Sequence, residues 1–387
     1  MKVGIITFQC VDNYGAMLQC YALKTFIERK GHTVKVINYS PKYLTKQNRI
    51  FVSPFRNANL SYKINKNKGI HYAFYRSALS FIKAVAQNLL IIQKIQRHSN
   101  FVKFRNDNLN LTNSVKSHND VKALANNFDL IVCGSDQIWN PEITNGAFDS
   151  MYFGSFASEK TKIISYAASA AMINTYNAES FVKLLKRFQG ISLRESTYAL
   201  DITKSLGKDV HIDVDPTMLL SRSDYQKISS YYLSSNEYIL IYTLEDAQSQ
   251  DRAYEAVNSL IKTTGIKTII DISSKKTDRI GGNYFFKGNA GPKEFIGFIE
   301  NSCYVVTNSF HGTVFSIIFD KQFFVIPHSK RGIRITELMG SLALNDRIVD
   351  GEIAEDNISN INYSLISNRL EERVLRSQEY LDECLKG

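Results

Sequence analysis

The chain has 387 residues, which is too long for a single hydrophobic core, so we expect two domains. Its hydrophobic content of 44% and charged content of 22% are ordinary for a soluble globular enzyme. No apolar run is long enough to span a membrane. The five scattered cysteines lack ligand spacing, which excludes a zinc ribbon and favours reduced thiols in the cytoplasm.

Strands and helices are predicted to alternate along most of the chain. The first half is expected to hold strands at 2–8, 33–39, 128–133, 162–168, 191–193 and 210–214, and helices at 16–30, 178–188 and 196–206. After a polar boundary at 221–236, strands are predicted at 238–244, 267–272, 283–287 and 323–326, and helices at 252–264, 292–301, from 333, and at 364–385. We therefore predict an α/β fold of two Rossmann-like domains, residues 1–220 and 221–387, facing a cleft.

The net charge of +10 is concentrated in one segment of the first domain. Residues 42–105 carry thirteen Lys and Arg, and no acidic residue occurs between Glu28 and Asp107. Aromatic residues are interleaved with these cations, and helices are predicted at 73–83 and 91–108. Such an insertion suits an anionic membrane surface or a lipid-linked phosphate, and it would also suit single-stranded nucleic acid. The alternative interpretation is that this insertion is solvated, partly helical and without a binding partner.

Polar clusters follow several of the predicted strands, at residues 12–15, 135–137, 194–195 and 308–312. Each cluster alone could cap a turn, but the carboxyl ends of parallel strands line one crevice in this fold class. The stretch 303–319 has the pattern of a buried strand, a tight turn and a helix. The free N–H groups at the start of that helix favour an anion beside His311.

Three groups of charged residues are candidates for an anion or metal site. Arg194 ends a short strand and could hold a carboxylate or phosphate through two parallel hydrogen bonds. Arg331 and Arg334 stand near a predicted helix start, where cations oppose the helix dipole unless an anion is bound. Asp213 and Asp215 form a DxD pattern, but the following proline favours a turn, so we expect no metal and no cofactor.

Six short motifs occur along the chain in this order: NYGAMLQ at 13–19, GSDQIWN at 134–140, SYAAS at 165–169, RE at 194–195, DPT at 215–217 and SFHGT at 309–313. Through these motifs the chain resembles the polysaccharide pyruvyl transferase family over most of its length. The resemblance implies the two-domain GT-B fold. It also implies transfer of pyruvate from phosphoenolpyruvate to two hydroxyls of a sugar, as a ketal.

The resemblance further implies roles for individual residues. His311 matches the essential histidine of the family, which contacts the donor, and Arg194 matches an arginine of the donor site. Known members often carry an arginine two residues before the histidine, where this chain has Ser309. Either Arg331 or Arg334 supplies the missing charge, or this branch uses another donor.

We predict an enzyme that is cytoplasmic or peripheral on the inner membrane face and that acts on a surface polysaccharide or its lipid-linked precursor. His311 is the expected acid, or stabilises the departing phosphate, and Glu195 or Asp136 is the expected base. Donor-binding candidates are Arg194, Arg334, Arg331, Asn308, Ser309, Gly312 and Thr313. Acceptor-binding candidates are Asn13, Tyr14, Ser135, Gln137 and Trp139.

Three alternatives remain open from the sequence. The first is a GT-B-type glycosyltransferase with a nucleotide-sugar donor, and the second is a non-catalytic glycan-binding relative. The third is a nucleic-acid binder that acts through residues 42–105. It leaves the strand-end clusters unexplained, so we expect no nucleic-acid partner.

Overall fold

The protein is described by a computed structural model that covers residues 1–45, 53–88, 91–115, 120, 124–169, 178–230, 237–244, 246–328, 332–355 and 358–386. Two parallel sheets, each flanked by helices, make up its framework. The first sheet spans residues 2–212 of the chain and the second spans 238–325. The predicted boundary at residue 220 falls between the two sheets and stays a prediction.

The first sheet has the strand order β2-β1-β3-β4-β5-β6, and all its pairings are parallel. Its central strands are continuous apolar runs, as expected for strands covered on both faces. The strands are β1 (Lys2–Ile6), β2 (Thr33–Val36), β3 (Leu130–Asp136), β4 (Lys162–Ala168), β5 (Ile191–Leu193) and β6 (Val210–Ile212). The helices are α1 (Tyr14–Arg29), α2 (Lys42–Thr45), α3 (Pro54–Asn65), α4 (Ile70–Asn88), α5 (Ile91–Asn108), α6 (Ala178–Leu185), α7 (Ala199–Leu206) and α8 (Arg222–Gln226).

The second sheet has the order β11-β10-β7-β8-β9 and is also parallel throughout. Its strands are β7 (Tyr238–Tyr242), β8 (Thr268–Asp271), β9 (Asn283–Phe286), β10 (Tyr304–Thr307) and β11 (Gln322–Val325). The remaining helices are α9 (Ala247–Thr264), α10 (Pro292–Asn301), α11 (Phe310–Ile318), α12 (Ile333–Ser341) and α13 (Tyr363–Cys384). All strands predicted from the sequence are present, and the bounds of several differ by one to three residues.

The basic insertion is more helical than the sequence pattern predicted. The helix expected at 73–83 extends over the whole of α4, and α3 was not predicted. Ser53 caps α3, and Pro54 suits its first turn because a proline there removes no intrahelical hydrogen bond. None of the described helices has the length and apolar character needed to cross a bilayer.

The last helix, α13, returns to the first sheet although it follows the second in sequence. The hydroxyl of Tyr380 donates to the backbone oxygen of Ser165 at 2.8 Å. The backbone N–H of Val214 donates to Ser377 Oγ at 3.0 Å. The C-terminal end of this helix therefore packs on the N-terminal domain, whereas the sequence analysis had placed the whole helix in the C-terminal one.

Tyr14 joins the two halves of the molecule. It is fully buried, and its ring stacks on Phe295 of α10 with ring centroids 4.6 Å apart. Its hydroxyl donates to the backbone oxygen of Ala290 at 3.0 Å and also contacts Arg97 of α5. This cluster holds the N-terminal end of α1 against the second domain.

Candidate functional site

The strand order reverses once in each sheet, between β1 and β3 in the first and between β7 and β10 in the second. Ligands of parallel α/β sheets bind at such reversals, beyond the carboxyl ends of the strands. A cavity of about 440 Å³ lies where the two reversals face each other. Residues at or beyond the carboxyl ends of all four strands line it: Val11, Asn13, Asp136, Gln137, Leu244, Ser309, Phe310 and His311.

His311 enters this cavity from the first turn of α11. Ser309 caps that helix: its backbone is extended, and its Oγ accepts the N–H of Gly312 at 3.4 Å. Gly15 of the first domain lies directly against the imidazole, because a Cβ atom at that glycine would come within 2.0 Å of His311 Nδ1. The histidine is therefore held between α11 and the start of α1.

A buried carboxylate, that of Asp215, lies between His311 and Arg194. Its Oδ2 is 2.8 Å from Arg194 Nη2 and 3.5 Å from His311 Nε2. Its Oδ1 accepts hydrogen bonds from the N–H of Thr217 at 3.0 Å and from the hydroxyl of Thr217 at 2.6 Å. Thr217 thus fixes one oxygen of the carboxylate and leaves the other to Arg194, His311 and Ser135.

The charge of Asp215 is stabilised despite its complete burial. Desolvation alone would raise the pKa of this carboxyl. The adjacent Arg194 and His311, together with the hydrogen bonds of Thr217, outweigh desolvation and hold the pKa well below its usual range. Asp215 is therefore an anion at neutral pH.

The ring of Phe310 lies close to two arginines, Arg194 and Arg334. The guanidinium carbon of Arg194 is 5.0 Å from the ring centroid, and that of Arg334 is 5.6 Å from it. Arg334 lines the cavity, whereas Arg194 is only 6% exposed and lies behind the ring. Among the described residues, Arg194 Nε and Nη1 have no hydrogen-bond partner, so this guanidinium has donors to spare.

The two candidate bases occupy different places. Asp136 lines the cavity, and its Oδ1 accepts the N–H of Gln137 at 2.8 Å. Its backbone φ of 67° is unusual for a residue other than glycine, and such strain is common at functional sites. Glu195 is buried behind the cavity, where its Oε1 accepts the hydroxyl of Ser169 at 2.6 Å and lies 3.8 Å from Arg334 Nε.

Some donor-binding candidates serve the scaffold instead of the cavity. The side-chain oxygen of Asn308 accepts the backbone N–H of Leu244 at 2.6 Å, and its side-chain nitrogen donates to the backbone oxygen of Leu244 at 3.1 Å. These two hydrogen bonds connect the end of β10 to the end of β7. Gly312 packs on Thr307, because a Cβ atom at position 312 would come within 2.3 Å of Thr307 Oγ1. Thr313 is fully buried, and its hydroxyl donates to the backbone oxygen of Ser309 at 3.0 Å. Arg331 lies outside the described residues. Ser309 does line the cavity.

Two acceptor-binding candidates are fully buried and do not reach the cavity. These are Tyr14, which belongs to the interdomain cluster, and Trp139, whose Nε1 donates to the backbone oxygen of Tyr152 at 2.9 Å. Ser135 is also buried, where its hydroxyl contacts Arg194 and lies 3.4 Å from Asp215 Oδ2. Asn13 and Gln137 line the cavity as expected for acceptor contacts.

The structure adds residues that the sequence analysis had not placed at the site. Asp215 had been interpreted as a turn former, although its DPT motif was a usable signal. Tyr43 and Glu142 line the cavity as well, and no motif pointed to them. Among the described residues, no group of three or more His, Cys, Asp or Glu side chains is arranged to hold a metal ion.

Comparisons with known proteins agree with this architecture. A family model for polysaccharide pyruvyl transferase matches residues 13–330. No curated protein is significantly similar in sequence. A protein from Listeria monocytogenes described as a candidate UDP-N-acetylglucosamine 2-epimerase is similar in structure, with a TM-score of 0.51 at 10% identity, over 98% of this chain and 90% of that one. The UDP-GlcNAc 2-epimerase from Neisseria meningitidis has a TM-score of 0.48 at 12% identity, over 100% and 99% of the two chains. The fold is thus the GT-B arrangement that the motif resemblance implied.

Proposed function

The chain belongs to the polysaccharide pyruvyl transferase family, and we propose that it transfers pyruvate from phosphoenolpyruvate to two hydroxyls of one sugar, forming a ketal. One observation supports this most: His311 and Arg334 line the same interdomain cavity, with the Arg194–Asp215 pair behind them. Its volume of about 440 Å³ is within the range of small-molecule sites, roughly 300–1,000 Å³.

The donor would bind with its charged oxygens towards the second domain. Arg334 offers a planar fork for a carboxylate or phosphate, and its position beside Phe310 limits its rotation. The first N–H groups of α11 have no intrahelical partner and favour an anion. Because the hydroxyl of Ser309 is used in capping α11, Arg334 is our candidate for the charge that an arginine two residues before the histidine supplies in known members.

In the proposed reaction a proton reaches the methylene carbon of phosphoenolpyruvate, and positive charge develops on the adjacent carbon. One sugar hydroxyl forms a C–O bond to that carbon and loses its proton. The C–O bond to phosphate breaks, the second hydroxyl closes the ketal, and inorganic phosphate leaves with one of the protons. No oxidant or reductant is needed.

His311 would donate the first proton or neutralise the departing phosphate, and Asp215 would stabilise its charged form from 3.5 Å away. Asp136 is our candidate for the base, because it lines the cavity whereas Glu195 does not. The acceptor would lie along Asn13 and Gln137 of the first domain. It would be a glycan or a lipid-linked oligosaccharide precursor, reached from the cytoplasm or from the inner membrane face.

A donor panel tests the proposal. Purified enzyme is incubated with candidate acceptor glycans and either phosphoenolpyruvate or nucleotide sugars. We expect release of phosphate from phosphoenolpyruvate and a gain of the pyruvate mass by the acceptor. In the His311→Ala variant this turnover should fall by about 10²–10⁴-fold. Release of nucleotide instead would support the glycosyltransferase alternative, and binding without turnover would support a glycan-binding relative.

A further inference from the structure

The helices α3 and α4 form a two-helix hairpin, here called the basic hairpin, that leaves much apolar surface uncovered. The rings of Phe55 and Phe81 lie 5.3 Å apart and those of Tyr62 and Phe74 5.2 Å apart, so the two helices run antiparallel. Seventeen large hydrophobic side chains are exposed among the described residues. Eleven of them lie on the basic hairpin and the start of α5: Phe55, Leu60, Ile64, Ile70, Tyr72, Phe74, Tyr75, Ile82, Val85, Ile92 and Ile95.

Much of this apolar surface lies on one side of α4. Phe74, Tyr75, Ala78, Ile82 and Val85 are all exposed and recur at helical spacing. A concentration of exposed apolar side chains on a protein surface marks an interaction site. This face of α4 is therefore expected to bind a partner that covers its apolar side chains.

Exposed cations accompany the apolar side chains on the hairpin and its turn. They are Arg56, Lys63, Lys66, Lys68 and Arg76. No acidic residue occurs anywhere from Arg29 to Asn106, so no negative side chain within this segment neutralises its positive charge. Its partner must be both anionic and able to accept apolar side chains.

We propose that the basic hairpin docks on the surface of an anionic phospholipid bilayer. Seven of the eleven exposed side chains are aliphatic, and aliphatic side chains cannot stack on bases as a nucleic-acid platform requires. A second copy of the hairpin would bring like charges together. A bilayer supplies the apolar boundary and the negative headgroups at once.

The ends of the hairpin connect it to the interdomain cavity. Tyr43 and Leu44 of α2, which precede it, line that cavity. In α5, which follows it, His98 Nδ1 lies 2.6 Å from Asp12 Oδ2, next to the cavity residues Val11 and Asn13. Docking would therefore hold the cavity near the membrane. This step rests on the proposed function, because there the acceptor would be a lipid-linked sugar.

Vesicle sedimentation tests docking without any need for activity. The full chain is mixed with vesicles of phosphatidylcholine and phosphatidylglycerol, or of phosphatidylcholine alone, at low and high salt. We expect binding to the anionic vesicles that weakens with salt. The variant Tyr75→Glu/Ile82→Glu should bind at least about tenfold more weakly. The variant Leu200→Glu/Leu365→Glu, which adds the same charge at exposed apolar sites elsewhere, should bind like the wild type.

Several outcomes would overturn the docking proposal. One is equal vesicle binding by both double variants. A second is a wild-type dimer that the hairpin variant disrupts, seen by sedimentation velocity. A third is tight oligonucleotide binding together with no vesicle binding. Both double variants should keep normal turnover on a soluble acceptor, so loss of docking and failure of the proposed transferase activity give different results.

Discussion

Gly15 of the first domain lies against the imidazole of His311 in the second. A Cβ at position 15 would approach His311 Nδ1 to 2.0 Å, which no packing tolerates. The contact means that the position of the histidine depends on both domains. The glycine is needed for close approach, since its backbone is helical.

We expect Gly15→Ala to displace His311 and to lower kcat/KM for pyruvyl transfer by about 100-fold or more, because a shift of about 1 Å at a reacting group costs that much. The matched control is Gly281→Ala, where the nearest atom to a new Cβ is 3.5 Å away, and it should leave kcat/KM unchanged. Steady-state kinetics measure the loss of activity, and a thermal melt shows whether the variant is still folded, so displacement of His311 can be distinguished from unfolding. Normal kinetics in Gly15→Ala would contradict the contact.

Asp215→Asn removes the only carboxylate within ion-pair distance of Arg194 among the described residues. Because a buried arginine is then left without its counter-charge, we expect the free energy of unfolding to fall by about 3–5 kcal/mol in urea titrations. Asp382→Asn breaks a half-exposed pair with Lys30 and should cost about 1 kcal/mol or less. Replacing Arg194 by Met in the Asp215→Asn background should recover part of the loss. A loss no larger than that of the control would contradict a buried pair.

The effect of Asp215→Asn should also depend on pH. The folded protein holds the pKa of Asp215 well below its usual range, whereas in the unfolded chain it is about 3.9. The stabilisation is therefore complete above about pH 4 and is lost as the pH falls towards the folded pKa. The difference in unfolding free energy between wild type and variant should shrink as the pH falls below about 4. A difference that grows in acid would mean that the carboxyl is neutral in the fold.

Arg334→Gln should raise KM for phosphoenolpyruvate about 10- to 100-fold, because a charge-assisted contact to the donor is lost. Arg376→Gln is the control, since that arginine pairs with Glu372 on the exposed face of α13. Initial rates over a range of donor concentrations provide both KM values. An unchanged KM in Arg334→Gln would remove this arginine from the donor site.

Tyr14→Phe tests whether this residue is structural. We expect the free energy of unfolding to fall by about 0.5–1.5 kcal/mol, because the hydroxyl bond to the backbone oxygen of Ala290 is lost while Arg97 still donates to that oxygen at 3.3 Å. KM for the acceptor should not change, since Tyr14 does not reach the cavity. A raised acceptor KM with unchanged stability would restore the acceptor role that its motif suggested.

The polar clusters at the strand ends could be located from the sequence, because the local pattern of apolar and polar residues shows where each strand ends. A buried apolar run that stops at polar residues marks the carboxyl end of a parallel strand, as at Asp136 and His311. Local pattern cannot show which clusters face each other, so the Asp215–His311 contact across the domains was missed. It also cannot distinguish a buried aromatic from an exposed one, so Tyr14 and Trp139 were assigned to the acceptor. The helix α3 was not predicted, although Ser53 and Pro54 mark its start.

The most direct test is a crystal soaked with phosphoenolpyruvate and, in parallel, with a nucleotide sugar. We expect density for phosphoenolpyruvate in the interdomain cavity, with its charged oxygens on Arg334 and its methylene carbon within reach of His311. Occupation of this cavity by the nucleotide sugar alone, or binding of phosphoenolpyruvate away from both residues, would contradict phosphoenolpyruvate as the donor.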